Sequence, residues 1–124
     1  MFECHIIVFL PVRLIGDEER YYSTVAKYDF DPGLQHGDSI RINNAPFITR
    51  TRDDVPIKSE RTFSFDAQIL HRRRYINCDV PADKFILAIE IEIADKEVIP
   101  EIVDYFQETF PGQYERYPIE PDSD

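Results

Sequence analysis

The chain has 124 residues, 43% of them hydrophobic and 13% aromatic, and a formal net charge of −10. This length suits one domain, able to bury a core without disulfide or metal staples. The acidic balance argues against direct binding to nucleic-acid backbones or anionic lipid, because phosphate neutralisation needs a basic surface. No stretch approaches the ~20 apolar residues of a membrane helix. The run Ile6 to Leu10 has no basic segment before it, so it reads as a strand and not a signal peptide, and a cytoplasmic protein is expected.

The first periodic signal is alternation. Phe2, Cys4, Ile6, Val8, Leu10, Val12 and Leu14 share one face of an extended segment, with Glu3, His5 and Arg13 opposite. Ile7, Phe9 and Ile15 fall on that second face, so the strand's centre is expected to be covered on both sides. After the polar turn from Gly16 to Glu19, Tyr22, Thr24, Ala26, Tyr28 and Phe30 alternate again, predicting a hairpin. Asp31-Pro32-Gly33 opens a loop that ends at Gly37-Asp38. Ser39 to Ile42 reads as a short strand, Asn43-Asn44-Ala45-Pro46 as a turn, and Phe47 to Arg52 as the next strand. Arg61 to Asp66 follows with Phe63 and Phe65 on one face. A strand after Arg72-Arg73-Arg74 directs Ile76, Cys78 and Val80 one way, placing Cys78 toward the core. Phe85, Leu87, Ile89, Ile91 and Ile93 then line one face of the most regular strand, with Glu90 and Glu92 on the other.

At residue 95 the period changes. Ile99, Ile102, Val103, Phe106 and Phe110 recur at helical spacing, Pro100 fits a first turn, and Pro111-Gly112 is a stop, so a helix is predicted near 97–110. Tyr114, Tyr117 and Ile119 are expected to dock the segment beyond it. The acidic tail 120–124 is expected to be disordered, leaving 1–119 as one domain. The whole predicts a mainly β (α+β) fold, an antiparallel Greek-key sandwich or partly open barrel of about seven strands, with one C-terminal amphipathic helix.

Chemistry-bearing motifs are weak. Gly37-Asp38-Ser39-Ile40 resembles the serine block of GDS-type esterases. It follows a polar loop instead of a buried strand, however, and no histidine lies beyond His71. His5, His36 and His71 come from separate segments without ligand spacing, so neither metal nor cofactor is expected. Cys4 and Cys78 show no CxxC pattern and read as reduced, inert thiols. Glu90 and Glu92 stand about 7 Å apart on one strand face, where solvated glutamates are the ordinary case.

Charge layout is more informative. Residues 41–78 hold 4 acids against 8 bases, whereas residues 79–124 hold 13 acids against 3 bases. On the helix, Glu97, Glu101, Asp104 and Glu108 form a narrow stripe opposite the apolar face, and like charges at i, i+4 disfavour an isolated helix. With Glu90 and Glu92, this stripe predicts a non-enzymatic acidic module that engages a basic partner protein, as an inhibitor or immunity protein does. The alternative is a small-molecule or nucleotide site in a barrel mouth, ringed by Arg50, Arg52, Arg61, Arg72, Arg74 and Tyr75 with Tyr22 and Tyr28. An enzyme with a dispersed site has no positive signal. Several edge-strand candidates leave a homodimer open.

Overall fold

Alternating apolar residues build a sheet that curls until its two edges approach each other. The computed structural model describes residues 2–50, 56–78 and 84–117. Strands β1 (Phe2–Phe9), β3 (Tyr22–Tyr28), β4 (Ser39–Arg50), β5 (Pro56–Asn77) and β6 (Lys84–Ile93) form one sheet in the order β3-β1-β6-β5-β4. β2 (Val12–Leu14) pairs with β7 (Tyr114–Arg116) as a separate ribbon, and α1 (Val98–Thr109) lies between β6 and β7 in the chain. The result is a nearly closed barrel of five strands with a small second sheet and one helix, as the patterning predicts.

The connections follow a meander and not a Greek key. Around the barrel the strands run in chain order, β1, β3, β4, β5, β6, and β6 returns beside β1. An odd number of alternating strands makes the closing pair parallel, and β1 and β6 pair in parallel from Phe2↔Phe85 to Phe9↔Glu92. Every other ladder is antiparallel, including the predicted pairing of β1 with β3.

Three expected boundaries differ, each for a backbone reason. The long first strand breaks at Leu10-Pro11, and its continuation β2 leaves the barrel to meet β7. Asn43 to Pro46 is no turn: β4 continues through it, with register shifts from Ile42 to Ala45 and from Pro46 to Ile48. Asn44 takes the left-handed conformation at φ 56°, which asparagine tolerates better than most residues. Arg61 to Asp66 and the strand after the three arginines are one 22-residue strand. Its first part pairs with β4 and its second with β6.

The core lies between the barrel's inner face and α1. Cys4, Ile6, Val8, Leu87, Ile89, Ile91, Phe47, Phe63 and Phe65 supply the barrel side. Val98, Ile102, Val103 and Phe106 supply the helix side. Phe106 is the hub, its ring 4.9 Å from Tyr114, 6.3 Å from Phe47 and 6.4 Å from Tyr21. The helix begins after Asp95, whose carboxylate accepts from the Glu97 N–H at 3.1 Å.

Candidate functional site

The cleft sits on the outer face of the sheet, over the second face of β1, where Ile7 and Phe9 lead the sequence to expect a cover. Odd-numbered residues of β1 (His5, Ile7, Phe9) and even-numbered residues of β6 (Ile86, Ala88, Glu90) make its floor. Arg73 and Tyr75 of β5 form one wall, and Tyr22 of β3 with Tyr117 the other. The loop after β2 brings Glu18, Glu19 and Arg20 to the rim. The cleft encloses about 640 Å³, within the roughly 300–1,000 Å³ of small-molecule sites.

A bulge in β5 decides which arginine reaches it. Alternation holds from Phe63 through Ile69, then the register against β6 shifts between Ile69 and His71. Arg73 therefore lies opposite Ala88 on the outer face, while Arg72 and Arg74 share the inner parity of Ile89 and Leu87. In one row across the sheet, His5 and Arg73 flank Ala88, roughly 10 Å apart by strand spacing. The methyl group between two long side chains gives the cleft its depth.

Glu90 is the unusual member. It is only 8% exposed, not solvated as its place on an amphipathic strand predicts. Burying a carboxylate is costly unless it is paired. Its partner is Arg73, with Nε 3.5 Å from Oε2, and that guanidinium is itself more than half exposed. His5 Nε2 lies 3.0 Å from Glu3 Oε1, and Lys84 Nζ lies 3.5 Å from the other Glu3 oxygen. The hydrogen bond to His5 and the nearby ammonium hold the Glu3 carboxyl below the usual carboxylate range. Arg20 donates to the Leu10 carbonyl at 3.1 Å and stands 3.8 Å from Glu92. Its guanidinium lies 5.7 Å from the Phe9 ring centroid and 5.6 Å from that of Tyr117.

The sequence-predicted residues are dispersed. Of the ring proposed for a barrel mouth, Tyr75 lines the cleft, as does Tyr22, while Tyr28 borders a separate hollow beside Phe2. Arg72 turns inward and binds Asp31, with Nη2 to Oδ2 at 2.5 Å, and donates to the Leu34 carbonyl. These bonds hold Asp31 below its ordinary range and raise Arg72. Arg74 is exposed, and Arg61 stacks over Phe63 at 4.7 Å and meets Glu101 at 3.4 Å. Arg50 ends β4 with its side chain outside the described residues, and Arg52 lies outside them altogether.

The acids also divide. Glu97, Glu101, Asp104 and Glu108 are all exposed along α1, as the spacing predicts. Glu90 lies on the outer face of the barrel wall in the cleft, and Glu92 borders a neighbouring hollow with Lys96 and Ile99 at the start of α1. Cys78 is exposed, against the expectation that it points inward, because β5 ends one residue earlier. Both cysteines are free, and Cys4 is fully buried, which pushes its thiol up. Among the described residues no group of three or more His, Cys, Asp or Glu gathers as a metal site, and no helix is long and apolar enough to cross a membrane.

Sequence reasoning missed Arg73, His5 and Ala88 as site residues. The available signal was the second face of β1, where Ile7 and Phe9 required a cover, and the small Ala88 beside Glu90 on the parallel neighbour. No protein-family model, no curated protein and no solved structure matches this chain.

Proposed function

We propose that this protein is a non-enzymatic ligand-binding module whose outer-face cleft takes a small organic molecule. The observation that carries the reading is Glu90, a nearly buried carboxylate on the floor of an aromatic-lined cleft, held by one long ion pair to an exposed arginine. Sites for small molecules combine apolar walls with a few fixed polar groups, and here Phe9, Ile7, Tyr22 and Tyr75 surround Glu90, Arg73 and His5. A structural ion pair alone would not call for Tyr22 at 55% exposure and Tyr75 at 42% beside it.

A panel of amines, organic acids, sugars and nucleosides tests this by thermal shift and by amide chemical-shift mapping. A ligand at one hundred times its Kd should stabilise the fold by about 2.7 kcal/mol, with shifts centred on residues 5–9, 73–75 and 86–90. A panel in which no member moves those amides would sink the reading.

A second reading keeps the helix as a docking face for a basic protein. It is favoured by the exposure of Glu97, Glu101, Asp104 and Glu108, of which only Glu101 has a cationic partner among the described residues, Arg61 at 3.4 Å. Association through such a face would weaken with salt.

A further inference from the structure

The charges in the cleft are not symmetrically disposed. Both of its guanidinium groups are engaged within the protein: Arg20 by the Leu10 carbonyl and two rings, Arg73 by Glu90. His5 is engaged by Glu3. By contrast, Glu18 and Glu19, which line the same cleft, form no ion pair among the described residues, and Glu90 has only the 3.5 Å approach of Arg73. A carboxylate or phosphate ligand would have to displace existing acceptors while facing three carboxylates. A cation would meet those carboxylates and need to displace only one exposed side chain.

The protein already shows how this wall receives a cation. Arg20 lies between Phe9 and Tyr117, with ring centroids 5.7 and 5.6 Å away, and the adjoining ring of Tyr22 is left largely uncovered. Ring faces attract cations through their quadrupole, more strongly where water is excluded. By strand register Glu90 lies beside Ile7, and Phe9 with Tyr22 lies two residues further along. That separation is about 7 Å, the span of a short carbon chain.

We infer that the cleft selects small organic ammonium ions, the nitrogen seated against Glu90 and the organic body lying over Ile7 toward Phe9 and Tyr22, with Glu18 and Glu19 adding negative charge to the same cleft. The inference rests on the cleft reading above and adds the ligand's charge. Binding exchanges one cation for another at Glu90: Arg73 swings out to solvent as the ammonium arrives. Arg73 is therefore a competitor of the ligand, and this sets the role apart from a merely structural one.

Calorimetry and amide mapping with phenethylamine, 2-phenylethanol and 3-phenylpropanoate on the intact chain test it. These probes share a ring and a two-carbon linker and differ in charge. Phenethylamine should bind best, Glu90→Gln should weaken it at least tenfold, and Arg73→Gln should tighten it severalfold. Should Glu90→Gln fail to fold, Arg73→Gln carries the test alone, since weaker amine binding in that variant overturns the inference. Preferential binding of 3-phenylpropanoate or of the alcohol in the same cleft would overturn the cationic assignment and leave the cleft reading standing. If none of the three probes, nor any member of the wider panel, moves the cleft amides, both fall together.

Discussion

Ile48 donates its backbone N–H to the Ser23 hydroxyl at 2.8 Å, joining β4 to β3 across the seam where no strand ladder does. Ser23 is buried, so its hydroxyl replaces a backbone partner that the open edge cannot supply. The same device recurs at the β4 bulges. The Phe47 N–H donates to Ser59 Oγ at 2.8 Å, and that hydroxyl donates in turn to the Arg61 carbonyl. The Asn44 N–H donates to Ser64 Oγ at 2.9 Å. Three serines thus satisfy backbone groups where register shifts or curvature break the ladder.

Removing one such hydroxyl leaves a donor without a partner, which costs more than an average hydrogen bond. Ser59→Ala should lower unfolding free energy by about 1–3 kcal/mol, and Ser23→Ala by a similar amount toward the lower end because Ile48 is partly exposed. Urea unfolding monitored by circular dichroism would show this as a lower midpoint at unchanged slope. An unchanged midpoint in both variants would mean that water replaces the hydroxyls and that the seam is not held by them.

The two cysteines should behave oppositely toward a thiol reagent. Cys78 is exposed, whereas Cys4 is fully buried and its thiol is pushed up by desolvation, first of all, and by the Asp31 carboxylate. The thiolate is the reactive species, so both effects slow Cys4. Ellman's reagent at pH 8 should titrate one thiol in the native protein and two in guanidinium chloride. Cys78→Ser should abolish the native reaction. Two fast native thiols would mean that the end of the barrel around Cys4 opens readily.

Acid should loosen the end of the barrel that Arg72 closes. Hydrogen bonds from Arg72, and then from the Gly33 N–H, hold Asp31 below its ordinary value of 3.8. A carboxyl depressed on folding stabilises the native state fully above the unfolded value, and that contribution disappears as pH falls through the folded value. Stability should therefore drop below pH 4, and Asp31→Asn should be less stable than the parent at pH 7 while converging with it near pH 2. Glu3, lowered chiefly by its bond to His5, adds a loss of the same sign. Melting temperatures across pH 2–7 for parent and variant check this, and parallel curves would remove Asp31 from the account.

Much of this fold was legible because side-chain period reports burial directly. Cys4, Ile6, Val8, Leu10 and Val12 alternate inward through a strand interruption that the pattern does not register, since Leu10-Pro11 changes the partner strand without changing the face. The helix was legible for the same reason, its apolar stripe meeting Phe47 and Tyr114 through Phe106. What escaped was parity after a bulge. One extra residue near Leu70 sends Arg73 outward and Arg72 inward, and nothing in the run of arginines distinguishes them. The burial of Glu90 was also hidden, because its partner Arg73 stands on another strand, a contact remote in sequence.

Phe106 offers the largest expected loss in the core. Its ring is fully buried and meets rings from β4, α1 and β7 together with Tyr21 and Phe110. Phe106→Ala should cost about 3–5 kcal/mol, a large part of the stability of a domain of this size. Phe106→Leu, which keeps most of the volume, should cost clearly less. Denaturant titration separates the two, and equal losses would point to ring–ring geometry as the dominant contribution instead of the cavity.

The helix stripe gives a prediction in the opposite direction. α1 has an acid in its first turn, where the helix dipole welcomes it, and no base in its last turn. Glu108 sits four residues after Asp104 near the negative end of the dipole, so both neighbours oppose it. Glu108→Lys replaces repulsion by attraction on both counts and should raise stability by about 0.5–1 kcal/mol at low ionic strength. At 1 M salt, where the Debye length falls to about 3 Å, the gain should shrink toward nothing. Thermal melts at the two salt concentrations measure the difference. A gain that persists in high salt would trace to helix propensity or packing instead of charge. If a basic partner is found, the same substitution should slow its association, because the residue that weakens the free helix is then one that the partner uses.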